Sequence, residues 1–278
     1  SVPLAVEVFT GATGGAVVVA SAAGILGVVA TWDQLRPVPR VRVSGHVLVA
    51  AVGGLGVCWL LSQGTTIDVF SYQQEGAERL LAGESPWAPG YPNPYDPDAS
   101  REFFGPGLAD ADTVDFGFPY PPLSLLLSTL GHLVGDLRYA HLVAVLVAGW
   151  LLLDAAGRGW TARAGGVLLL TSPMLLPTVQ RGWTETFLIL GAVATVLVLR
   201  RARRDRTAYL SLGLFLALKQ YAAMFLPILL VVGPRWRQAG ERWRAAGVAL
   251  SWASLFAEVL MGGFLLFSWY KERETGES

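Results

Sequence analysis

Asp68, Tyr72, Glu75 and Arg79 recur at i, i+4, i+7 and i+11, so a helix here would carry them in one narrow stripe. Val69, Phe70, Ala77, Leu80 and Leu81 fall opposite, which predicts a helix lying flat on an apolar support and presenting a carboxylate-bearing face. Gly83 stands where such a helix should stop. The chain then runs through Trp87, Tyr91 and Tyr95 among closely spaced prolines, an extended and aromatic stretch. Rings beside carboxylates and amides suit sugars, whose C–H faces stack while their hydroxyls bond the acids. Each feature also has a plainer reading. Asp68 is placed to cap a helix, and Trp and Tyr anchor chains at membrane interfaces. Asp96, Asp98, Asp110, Asp112 and Asp115 follow no calcium-loop spacing and read as a solvated acidic surface. A second candidate lies far downstream, where Lys219 interrupts an apolar run. An ionisable residue at membrane depth points to function, with a snorkelling lysine as the alternative.

The elements that position these groups are set by composition. Of 278 residues, 53% are hydrophobic and 15% charged, against roughly a quarter charged in soluble domains. Apolar runs at 2–32, 43–61, 119–135, 139–153, 164–180, 184–199, 207–233 and 245–267 approach the roughly 20 residues that a membrane helix needs. The expected fold is therefore all-α, a polytopic membrane helix bundle forming one domain over residues 1–278. The first run contains Glu7 and lacks a basic n-region, so it reads as a weak membrane helix or a trimmed end. The balanced charge, 21 basic against 21 acidic, argues against a nucleic-acid partner. Phosphate-binding loops, dinucleotide fingerprints, serine elbows and zinc-protease motifs are all missing from the sequence. With Cys58 the only cysteine, an intrachain disulfide is impossible.

The charge balance conceals an asymmetry. Residues 62–118 hold ten acids and two arginines, whereas the loops at 33–42, 200–206 and 234–244 are arginine-rich. By the excess of Lys and Arg in cytoplasmic loops, the arginine-rich loops face inside and the acidic stretch faces outside a plasma membrane. Arg158 and Arg163 put the 154–163 loop inside as well. Residues 119–135, opened by Pro119, Pro121 and Pro122, are then expected along the outer interface as part of a 62–138 outer loop. Residues 164–180 and 184–199 form a hairpin whose tip, Gln180 to Glu185, faces out. Residues 207–233 have arginines at both ends, which predicts a helical hairpin turning at Lys219, Gln220 and Tyr221. Halves of about 12 residues reach only about 18 Å, so that turn ends in a protein-lined cavity.

Three segments in this order resemble a known group: Asp68 with Tyr72 and Leu80-Leu81-Ala82-Gly83-Glu84-Ser85-Pro86-Trp87; Phe118-Pro119-Tyr120-Pro121-Pro122-Leu123; and Leu216-Ala217-Leu218-Lys219-Gln220-Tyr221. The chain from about residue 43 to 233 resembles the GT-C integral-membrane glycosyltransferases, and more narrowly the polyprenyl-phosphate-mannose-dependent mannosyltransferases of actinobacteria and their relatives. It departs from them at the hairpin tip, where Gln180-Arg181-Gly182-Trp183 replaces a Gly-Gln-Asn-like turn. It is also shorter than such proteins commonly are, which leaves open a fragment, a divergent short member or an inactive paralogue. The resemblance implies a lipid-phosphate sugar donor, a glycolipid or glycan acceptor and one-step inversion, with no nucleotide or metal demanded. It implies Asp68 as general base with Glu75 in reserve, Lys219, Arg181 and Gln220 toward the donor phosphate, and Tyr72, Trp87, Tyr120 and Tyr221 facing sugar or acceptor. The rival readings are a transporter or flippase of the same lipid-linked sugar, which broken helices and a deep lysine also suit, and a non-catalytic membrane partner.

Overall fold

A computed structural model describes residues 45–62, 64, 67–104, 107–155, 160–201, 205–225, 227 and 229. The apolar runs at 2–32 and 245–267, the loops at 33–42 and 234–244, and most of the returning half of 207–233 lie outside the described residues. What is described is helical, apart from one short ribbon. In chain order come α1 (Gly45–Ser62), α2 (Asp68–Ala82), β1 (Tyr91–Pro92), α3 (Pro97–Phe104) and β2 (Thr113–Val114). Then follow α4 (Pro122–His132), α5 (Arg138–Trp150), a π-helical turn (Leu151–Ala155), α6 (Trp160–Leu170), α7 (Leu175–Gln180), α8 (Glu185–Arg201), α9 (Asp205–Leu216) and a 3₁₀ turn (Gln220–Phe225). Among the described residues no helix is long and apolar enough to cross a membrane.

Helix α5 is the axis of the bundle, packed against α1, α4, α6 and α8, while α8 also packs on α9. Small residues let these helices close up: a Cβ at Gly56 would lie 2.6 Å from Leu142, and one at Gly149 would lie 2.5 Å from Leu170. Phe187, Leu212 and Phe215 centre the core between α8 and α9, and Val145, Val167 and Leu170 the core between α5 and α6. The expected single run over 164–180 is broken, because α6 ends at Leu170 and α7 starts at Leu175. Pro173 explains the break, since it has no N–H to donate and disfavours helical backbone at Ser172.

The acidic stretch builds a third core from Tyr72, Ala77, Tyr91, Val114 and Phe118 together with Leu125 of α4. Helix α2 stops at Gly83, whose φ of 76° only glycine adopts without strain, and the Glu84 N–H returns to the Arg79 carbonyl at 2.8 Å. β1 and β2 pair antiparallel, Tyr91 opposite Val114. Asp96 caps α3 through the N–H groups of Asp98 and Ala99, at 3.0 and 2.9 Å. The segment from Ser85 to Tyr95, read from sequence as an extended surface, is thus part of a folded unit with Val114 and Phe118.

Gly117 makes this unit possible. A Cβ there would lie 2.7 Å from the Trp87 Cα and closer still to its carbonyl, where the neighbouring Phe118 N–H reaches the Pro86 carbonyl at 2.9 Å. Backbone cannot yield as a side chain can. Gly117→Ala is expected to cost about 1–3 kcal/mol, as overpacking does, and to lower the thermal midpoint in detergent. Gly54→Ala, with nothing within 4 Å of the added carbon, is the control and should leave that midpoint unchanged.

Candidate active site

The stripe expected along α2 is turned from its predicted orientation. The buried positions are Tyr72, Gln73, Gly76 and Ala77, whereas Leu81 is exposed. Gly76 decides the rotation, because a Cβ there would press on Leu125, Phe118 and the Tyr91 hydroxyl at 3.0 to 3.2 Å. Tyr72 is accordingly 2% exposed, its ring edge-on to Tyr91 and Phe116 with centroids 5.5 Å from each. It offers no open face for a sugar to stack on. Glu75 pairs with Arg79 at 2.7 Å, and Arg79 donates to the carbonyls of Ala88, Pro89 and Gly90 while its guanidinium lies 4.4 Å from the Tyr91 ring. That carboxylate fastens the loop to the helix. Trp87, half-buried, packs against the same loop core.

Asp68 stands apart from this scaffold, at the first residue of α2. Its Oδ1 accepts the Val69 N–H at 2.7 Å, a donor of the first turn, although the cap position expected for it belongs to Ile67, and its own N–H reaches the Tyr95 hydroxyl at 3.5 Å. Around it are three phenols. Burial pushes the Tyr95 hydroxyl up to about 12, with the Asp68 charge adding to the rise. Burial first and Asp68 second also raise Tyr72 and Tyr120. All three therefore stay protonated beside that carboxylate at neutral pH, and the Tyr95 hydroxyl accepts the Asp68 N–H. The Tyr72 hydroxyl has no hydrogen-bond partner among the described residues.

The second half of the site gathers at the break after α9. The helix ends at Leu216, and Lys219, 8% exposed, places its Nζ 2.6 Å from Glu185 Oε1. The Tyr221 hydroxyl donates to that same oxygen. Lys219 Nζ also lies 5.3 Å from the Tyr120 ring centroid and 4.7 Å from that of Tyr221, a cation between two aromatic faces. Gln220 Nε2 donates to the Pro119 carbonyl at 2.5 Å, tying the break to the Pro119 to Pro122 segment. Glu185 sits in the first turn of α8, where the helix dipole favours an anion. Arg181, on the same hairpin tip, lays its guanidinium 5.4 Å from the Trp183 ring, and burial lowers its pKa.

Tyr120 joins the two halves. Its hydroxyl feels the charge of both Asp68 and Glu185, and its ring faces Lys219. The fold thus draws Asp68, Tyr120, Lys219, Gln220 and Tyr221 toward one place, while Glu75 and Trp87 serve the loop. Glu185 and Tyr95 were not expected there. Glu185 was visible in the sequence as a carboxylate opening a helix, but its lysine partner is 34 positions away.

Residues 118–273, more than half of the chain, match the model of Glycosyltransferase family 87. The chain belongs to glycosyltransferase family 87. No curated protein and no solved structure matches it. The matched region holds Lys219, Glu185, Arg181 and Tyr120 of this glycosyltransferase's candidate site, and Asp68 precedes it.

An apolar groove of about 250 Å³ runs close by, lined by Leu127, Leu130, Val134, Val143, Phe187 and Leu190 among others. Phe187 stands two residues from Glu185 along α8, a spacing that turns the two side chains to different sides of the helix, and Glu185 and Lys219 do not line the groove.

Proposed function

We propose that this family 87 glycosyltransferase moves a sugar, mannose in the first instance, from a polyprenyl-phosphate donor to a lipid- or glycan-linked acceptor on the outer face of the plasma membrane. The Glu185–Lys219 pair against the Tyr120 ring, with Asp68 near enough for its charge to act on the Tyr120 hydroxyl, carries this reading. In the proposed step, the acceptor hydroxyl oxygen attacks the anomeric carbon and gives its proton to Asp68. The bond from that carbon to the phosphate oxygen breaks on the opposite face, inverting the centre and leaving a polyprenyl phosphate. Lys219, assisted by Arg181 and Gln220, receives the charge that develops on that phosphate. Tyr221 and Tyr120 flank the sugar. The step balances without metal or nucleotide.

The apolar groove beside Phe187 suits an isoprenoid tail. A bilayer setting is favoured by the outward display of Val47, Leu61, Leu130, Val134 and Val143, each more than half exposed, on a chain of 53% hydrophobic residues. In that setting the chain is one multi-pass domain, with 62–138 on the outer face and 207–233 a hairpin, although α1, at 18 residues or about 27 Å, is short for a span. Family membership favours transfer over transport.

The donor class is checked by incubating the purified protein and host membrane lipids with radiolabelled mannose, carried on a short-chain polyprenyl phosphate or on a nucleoside diphosphate. Label should pass to the lipid extract from the polyprenyl donor only. Use of the nucleotide sugar alone would overturn the donor assignment.

A further inference from the structure

The helix that begins at Asp68 and the hairpin tip that carries Arg181 and Glu185 are joined by a chain of fully buried polar groups. Gln73, 0% exposed, directs both N–H bonds of its amide to carbonyls: that of Gly182 at the tip, and that of Val69 on its own helix at 3.1 Å. Its Oε1 is therefore an acceptor. It takes the Ser128 hydroxyl from α4 and lies 3.1 Å from His141 Nε2 on α5. For that last contact to be a hydrogen bond, the imidazole proton must sit on Nε2. Nδ1 is then an acceptor, and the Thr186 hydroxyl 2.7 Å away donates to it in preference to the Trp183 carbonyl at 3.1 Å. Every group has a partner once these directions are chosen. His141 is further held by stacking on Phe187, with centroids 4.3 Å apart.

The network holds the tip at two points, each next to a functional residue. Gly182 follows Arg181, and Thr186 follows Glu185. Gln73, which makes the first of these contacts, stands one turn into the helix that Asp68 opens. We infer that Gln73 and His141 are positioning residues for glycosyl transfer, holding the candidate base and the Arg181–Glu185 tip at one fixed separation. The inference rests on the proposed reading of Asp68 and the Lys219 cluster as two sides of one site. A buried amide suits this task because its planar donor and acceptor pairs fix orientation as well as distance. An apolar replacement would leave the Gly182 carbonyl without its partner, the Ser128 hydroxyl with only the long contact to His141 Nε2 at 3.5 Å, and the tip free to shift.

The test compares Gln73→Leu with Thr195→Val in the full chain. Thr195 is equally buried, and its hydroxyl donates to the Ser211 carbonyl at 3.1 Å between α8 and α9, away from the site. Three quantities are read: amide hydrogen exchange at residues 182–186, affinity for short-chain polyprenyl-phosphate-mannose, and kcat. Gln73→Leu should speed exchange at the tip and lower kcat by about 10–100-fold, with donor affinity within about three-fold, because a misplacement of about 1 Å suffices for such a loss. Thr195→Val should change none of them. A fast-exchanging tip with wild-type kcat would overturn the inference, as would kcat falling only in proportion to the fraction of protein able to bind donor. If the wild type does not bind this donor, the donor assignment fails, and an unchanged tip exchange in Gln73→Leu would still overturn the network's role. Should Gln73→Leu not accumulate, Ser128→Ala removes a single donor to the same oxygen, with an expected fall in kcat of about 3–10-fold.

Discussion

Asp68→Asn is expected to cut sugar transfer from polyprenyl-phosphate-mannose by about 10²–10⁴-fold, the contribution typical of a general base, while fold and donor affinity stay as in the wild type. The substitution separates the two roles this side chain occupies. Asparagine keeps an Oδ1 that can accept the Val69 N–H, so the start of α2 is preserved. What it loses is the capacity to take a proton. Its amide would also set an N–H donor among the protonated hydroxyls of Tyr72, Tyr95 and Tyr120. Asp68→Ala removes both roles, and should add to the loss of activity about 1 kcal/mol of instability from the Val69 N–H left without its acceptor. The readouts are initial rates of label transfer, a donor titration and a thermal melt. Full turnover by Asp68→Asn would reduce this residue to an acceptor for the Val69 N–H and remove the base from the mechanism.

Lys219→Ala should weaken donor binding by about 10–100-fold, equivalent to the roughly 1.5–3 kcal/mol of a charge-assisted hydrogen bond. Lys219 is nearly buried yet already engaged, because Glu185 shares its ammonium at 2.6 Å and the Tyr221 hydroxyl supports the same carboxylate oxygen. A phosphate reaching Lys219 must therefore share it with an internal anion. Glu185→Gln removes that competitor and keeps the side chain's shape. Donor affinity in this variant should rise by about three-fold or more, since a like charge beside the phosphate is lost. Both variants are measured by titration with the short-chain donor, alongside Asp68→Asn, whose affinity should not move. Equal donor affinity in Lys219→Ala and wild type would exclude the phosphate role. Weaker binding in Glu185→Gln would instead make Glu185 the residue that aims the lysine.

Some of this arrangement was legible before any coordinates. Helix α2 was readable from Asp68 to Gly83 because its signals are local: a period near 3.6, and a glycine at the position where the backbone must turn left-handed. The interruption at Lys219 was legible for a similar reason, as polar side chains set in an apolar run with arginines at both ends. The ordered segments around Asp68, Pro119 to Pro122 and Lys219 pointed to the glycosyltransferase class, which the family match bears out. By contrast, the single helix expected over 164–180 overlooked Pro173, whose effect on backbone outweighs the hydrophobicity around it.

What the sequence by itself determined, then, is the inventory: helices, their stops, an acidic segment and the residues able to do chemistry. Which of those residues meet was decided only by tertiary packing. The face of α2 that turns inward depends on how closely Tyr91, Phe118 and Leu125 approach Gly76, and that approach buries Tyr72 and Gln73 instead of exposing a stripe. Glu75 is spent on Arg79 because the loop carbonyls of Ala88, Pro89 and Gly90 come back over the helix. Glu185 meets Lys219 across 34 positions, and Gln73 meets Gly182 across 109. Periodicity reports which residues share a face of one helix. It carries no information on the distance between two helices, and that distance is set by which side chains are small enough to let them close.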